Sequence, residues 1–142
     1  MSGITVGIDG SDHSVYALDW AMREAATRHT SITVLAVDSV PASPWTGRPV
    51  GAEPGHLDEV RRVAEEMTAK ATSQLGEAQP TSVSVRAITG FPARELIEAS
   101  RDADLVVVGS RGAGGFARLM LGSVSSQVVH HAHGPVVVIP AS

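Results

Sequence analysis

Short apolar runs of strand length alternate along this chain with segments whose apolar residues recur every three or four positions. Ile4 to Ile8 is the first run. It stops at Asp9-Gly10-Ser11, a turn that can lead into a helix with Ser11 as N-cap and Asp12 in the first turn. Val15, Leu18, Met22 and Ala25 then share a helical face, and Arg28 and His29 suit the C-terminal end of that helix. Ser31 to Val37 predicts a second strand. Asp38 to His56 breaks the rhythm. Its prolines (41, 44, 49 and 54) and glycines (47, 51 and 55) predict a long, mobile loop, and long loops in compact domains often carry function. Leu57, Val60, Ala64, Met67, Ala71 and Leu75 mark an amphipathic helix that ends near Gly76.

Val83 to Ile88 predicts the third strand. Gly90-Phe91-Pro92 opens a short helix, with Pro92 suited to its first turn and Leu96, Ile97 and Ala99 on its buried side. Asp104 to Gly109 is the fourth strand, apolar enough for both faces to be covered. A glycine-rich loop from Gly109 to Gly122 holds a short helical turn at Phe116 to Leu121. Ser123 to His131 is the last helix and Pro135 to Ile139 the fifth strand. This alternation predicts one α/β domain: an open, Rossmann-like parallel sheet with right-handed crossovers and helices on both faces. Ligands of such sheets bind beyond the carboxyl ends of the strands, where strand order reverses. Asp9, Val37 and Gly109 all stand at such ends and predict one crevice.

Composition narrows the picture. The 142 residues are 43% hydrophobic but only 4% aromatic, so the core must be built from Val, Ala, Ile and Leu. A net charge of -4 argues against nucleic acid or an anionic membrane as the main partner. The absence of cysteine excludes disulfides, thiol nucleophiles and zinc–thiolate sites. The N-terminus shows no basic segment followed by a long apolar run, and no stretch approaches about 18 apolar residues. The expected location is the cytoplasm.

The chemistry concentrates in Gly109-Ser110-Arg111-Gly112 and, nine residues on, Gly122-Ser123. Glycines let backbone approach an anion, successive N–H groups can form an anion nest, and a helix start favours phosphate. A tight strand-to-helix connection, with glycine serving sterics alone, explains the same residues equally well. Three other motifs fail. A P-loop needs a lysine, and none follows Lys70. Gly112-Ala113-Gly114-Gly115-Phe116-Ala117 fits a dinucleotide fingerprint, yet it lies before the last strand and no acidic residue follows it. Gly109-Ser110-Arg111-Gly112 is too short for a hydrolase nucleophile elbow. Arg111 and Arg118 read as solvated loop residues, and Trp45 as either a ligand cover or a loop anchor. His130, His131 and His133 lack the further ligands a metal needs.

The spacing Gly-x2-Gly-x9-Gly-Ser resembles the ATP-binding motif of universal stress proteins. Val6-Gly7-Ile8-Asp9-Gly10-Ser11, Gly90-Phe91-Pro92, Ala103 to Gly109, Gly122-Ser123-Val124-Ser125 and Gly134 to Val138 resemble successive segments of that family, in order and along the whole chain. The resemblance implies a five-stranded parallel sheet of order 3-2-1-4-5, usually dimeric. It implies that Asp9 borders the nucleotide, that Val37 meets adenine through its backbone, and that Val108 and Gly109 line ribose and adenine. Gly112, Gly122, Ser123, Val124 and Ser125 match its phosphate-binding positions. The implied ligand is ATP, with or without Mg²⁺, and cyclic AMP is the alternative. No general base stands out for phosphoryl chemistry, so the expected activity is a stress-response regulator that binds ATP without efficient turnover. A slow ATP phosphohydrolase and a dimerising scaffold with an empty loop are the rivals. The apolar run Val136 to Ile139, on a sheet edge in that strand order, predicts a homodimer.

Overall fold

The computed structural model describes residues 3–39, 55–110 and 122–140. The elements run β1 (Ile4–Ile8), α1 (Asp12–Arg28), β2 (Ile32–Ser39), α2 (His56–Ser73), β3 (Val83–Gly90), α3 (Pro92–Ala99), β4 (Leu105–Gly109), α4 (Ser123–His131) and β5 (Val136–Ile139). The five strands form one sheet of order β3-β2-β1-β4-β5, and every pairing is parallel. Strand order reverses between β1 and β4, so the switch point lies at Asp9 and Gly109 as the sequence predicts.

Period-two alternation sorts the strand residues onto two covered faces. Ile4, Val6, Ile8, Ile32, Val34, Ala36, Leu105 and Val107 pack with Ala17, Leu18, Ala21, Met22 and Ala25 of α1 and with Ala64 and Ala71 of α2. On the other face Leu35, Val106 and Val108 pack with Leu96 of α3 and Val128 of α4. Gly7 belongs to this second face, and a Cβ there would lie 2.8 Å from Leu96 Cδ1. The missing side chain is what lets α3 settle on the centre of the sheet.

Several sequence expectations shift. Val15 is exposed, and α1 instead buries Ser14, Ala17, Leu18, Ala21, Met22 and Ala25. The buried stripe is centred on alanines, whose small side chains let the helix lie close to the strands. In α2 the fully buried positions are Ala64, Thr68 and Ala71, and the larger Val60, Met67 and Leu75 are half-buried around them. Leu75 follows the helix, which ends at Ser73. Asp38 and Ser39 are not loop: they extend β2, because β3 runs on to Gly90 and supplies the partners Thr89 and Gly90. His56, at the other end of the expected loop, opens α2. The helical turn expected at 116–121 and Trp45 lie outside the described residues. Among the described residues no helix is long and apolar enough to cross a membrane.

Candidate functional site

The site grows from the carboxyl ends of β1, β2 and β4. Asp9 follows β1 in an exposed turn, where Oδ1 accepts from the Ser11 amide at 2.9 Å and from its hydroxyl at 2.5 Å. Ser11 in turn caps α1. Asp9 therefore has the turn-forming role its residue type suggests, and it also lines a cavity of about 250 Å³. Val37, near the end of β2, lines the same cavity. The remaining walls come from Ile8, Gly10 and Ala36 on the strand side and from the first turns of α2. The cavity is thus a mostly apolar slot between the β1 and β2 ends and α2, with carboxylates of Asp9 and Glu59 among its lining groups.

Glu59 is held as an anion. A hydrogen bond from Arg62, reinforced by that residue's charge, holds its carboxyl below the usual carboxylate range, and the Arg62 guanidinium is raised in return. Arg62 also binds Glu66 at 2.6 Å, so both of its partners are acidic groups on its own helix. Among the described residues that line the cavity no lysine or arginine occurs.

The glycine-loop residues stand on β4 and α4. Gly109 ends β4, paired with Ile139 of β5. Val108 is buried, with its side chain in the second core cluster, so it can meet a ligand only through its backbone. The chain then passes to Ser110, whose carbonyl is the anchor for α4: it accepts from the Gly122 amide at 2.6 Å and from the Ser125 hydroxyl at 3.2 Å. Gly122 is the N-cap of α4 and has no side chain to satisfy the helix's first amides. Those of Ser123, Val124 and Ser125 therefore lack a partner within the helix. Ser123 is exposed, Val124 half-buried and Ser125 buried. Gly122 has φ of -72°, an ordinary value, so glycine is not needed there to relieve backbone strain. Gly112, Arg111 and Arg118 lie outside the described residues. His130 donates from Nδ1 to the Ser126 carbonyl, 2.8 Å away, on the far turns of α4. No group of three or more His, Asp or Glu side chains that could hold a metal occurs among the described residues.

The structure thus brings Asp9 and Val37 to one cavity, and Gly109 and Gly122 to Ser125 to one strand–helix junction. Sequence reading missed Asp38 and His56. Asp38 is 1% exposed, and its Oδ1 lies 2.6 Å from Nδ1 of His56, which lines the cavity. Both fall within the proline-rich loop that the composition predicts, and only the extension of β2 and the start of α2 give them a common place.

Comparison with known proteins agrees with this architecture. Residues 1–140 match the universal stress protein family. A universal stress protein of Mycolicibacterium smegmatis is 37% identical over 139 residues, which cover 96% of this chain and 47% of that protein. One from Mycobacterium tuberculosis is 35% identical with the same coverage. The chain spans about half the length of these relatives. Among solved structures, a universal stress protein in complex with cAMP superposes with a TM-score of 0.68 at 25% identity, covering 99% of this chain and 98% of that one. UspA of Lactobacillus plantarum gives a TM-score of 0.70 at 22% identity, with 97% of each chain covered, a likeness of fold. With its strand order, its glycine junction after β4 and this match along almost all of its length, the chain belongs to the universal stress protein family.

Proposed function

We propose that this chain is a regulatory adenine-nucleotide-binding protein of the stress response, and that its ligand is ATP. The supporting observation is the start of α4. Its uncapped amides are fastened by Ser110 to the end of β4, at the sheet's switch point. That is where an open parallel sheet binds ligands and where a helix attracts phosphate. The base and ribose occupy the apolar slot lined by Asp9 and Val37, with Val108 and Gly109 offering backbone. The phosphates lie against Gly112 and Gly122 to Ser125. Cyclic AMP is the second reading, favoured by the relative solved with cAMP.

The protein binds nucleotide without rapid turnover, because among the described residues no base stands beside Ser123 and the neighbouring hydroxyls to activate them. It acts in the cytoplasm as a homodimer joined through β5. Mg²⁺ accompanies the phosphates of ATP rather than occupying a protein site of its own. Mass spectrometry of the nucleotide released from purified protein tests the reading: ATP supports it, cyclic AMP selects the second, and a nucleotide-free protein that also fails to bind added ATP and added cyclic AMP refutes both. Hydrolysis in excess Mg²⁺ at about 1 per second or faster would make it an enzyme instead.

A further inference from the structure

We propose that His56, oriented by Asp38, is the residue by which this cavity selects adenine over guanine. The proposal rests on the nucleotide reading above and adds the group that reads the base. Asp38 points from β2 into the interior, with a side chain 2% exposed, whereas the His56 side chain is 53% exposed. A buried carboxylate is costly without hydrogen bonds. Among the described residues its Oδ2 has no partner, and Oδ1 meets His56 Nδ1 at 2.6 Å. A carboxylate only accepts, so Nδ1 is the donor in this contact. In the neutral ring the lone pair then falls on Nε2. This is how a carboxylate behind a histidine fixes its tautomer and orientation.

The surroundings say what that lone pair would meet. Ile8, Ala36, Val60, Val63 and Ala64 give the cavity apolar walls suited to a planar base. Among the described residues its charged lining groups include the carboxylates of Asp9 and Glu59, which are acceptors. With Nε2 of His56 the polar lining is therefore rich in acceptors. Adenine carries a donor, the 6-amino group, where guanine carries an acceptor, the 6-oxo group. Adenine can bond to such a lining, and guanine would bury its oxygen against lone pairs.

The test compares ATP and GTP by calorimetry on nucleotide-stripped protein: unmodified, His56→Ala and Asp38→Asn, each with a thermal melt. Unmodified protein should prefer ATP by at least about tenfold, the size of one hydrogen bond to a buried partner. His56→Ala should bring the ratio towards one, mainly by weakening ATP. In Asp38→Asn the amide can donate to Nδ1, which moves the ring proton to Nε2 and turns it into a donor; the ratio should narrow or invert. A merely structural role for the pair would weaken both nucleotides alike and leave the ratio unchanged, which overturns the proposal. If Asp38→Asn fails to fold, His56→Ala decides alone, because that side chain is half in solvent. Unmodified protein that binds neither nucleotide refutes the ATP reading itself, whereas binding with the same ratio in both variants refutes only the role of His56.

Discussion

The Ser125 hydroxyl and the Ser110 carbonyl meet at 3.2 Å across 15 positions of sequence, tying the start of α4 to the end of β4. The same hydroxyl lies 3.2 Å from the Gly122 carbonyl, and Ser125 is buried. Its side chain is turned into the protein, whereas the neighbouring Ser123 is exposed. The two serines therefore separate by role. Ser125→Ala should cost about 1–2 kcal/mol in urea unfolding, the loss of a buried hydrogen bond whose acceptor stays behind. Ser123→Ala should leave stability unchanged and weaken ATP binding several-fold. The reverse pattern would contradict the assignment.

Packing at the sheet centre gives a second expectation. Gly7→Ala places a Cβ 2.8 Å and 2.9 Å from the two Leu96 methyls, and Leu96 is 4% exposed with little room to move. The expected cost is about 1–3 kcal/mol for overpacking, read from the shift in denaturant midpoint. Adding Leu96→Val should recover part of it. If Gly7→Ala is neutral, α3 is not held against β1 as described.

The third concerns the sheet edge. Pro135 and Ile139 carbonyls accept from Val106 and Ser110, so the ladder alternation turns the N–H and C=O groups of Val136 and Val138 outward. All four β5 side chains are half-buried: Val137 and Ile139 pack against one core cluster, Val136 and Val138 against the other. A lysine in this strand would therefore damage the core as well as an interface. Val138→Pro is the cleaner probe, since it removes an outward donor while keeping an apolar side chain on an edge strand. Sedimentation should show a dimer for the unmodified chain and a folded monomer for the variant. A monomer in both would refute assembly through β5.

Much of this was legible in the sequence because the sheet is buried on both faces. Continuous apolar runs such as Leu105 to Val108, of strand length and rich in valine, suit parallel strands covered on both faces, and the glycine spacing marks the junction after β4. Helix faces were read less well. Val15 has the spacing of a core residue, but the alanines at 17, 21 and 25 decide which side of α1 approaches the sheet. Asp38 and His56 escaped for another reason. Proline and glycine composition marks where a loop is, yet the reach of β2 depends on how far β3 extends beside it. A pairing between distant segments leaves no local trace.

In the proposed function the amides at the start of α4 hold the phosphates of ATP. Calorimetric titration of nucleotide-stripped protein with ATP, beside Gly122→Val, tests it most directly. Since φ at Gly122 is -72°, valine is compatible with the backbone, and the variant should fold at a cost of about 1 kcal/mol, typical of an unfavourable N-cap. The unmodified chain should show saturable, one-to-one binding, and the folded variant at least a tenfold (about 1.4 kcal/mol) loss. Equal affinity in the two, or no saturable binding to the unmodified chain at millimolar ATP, would contradict it.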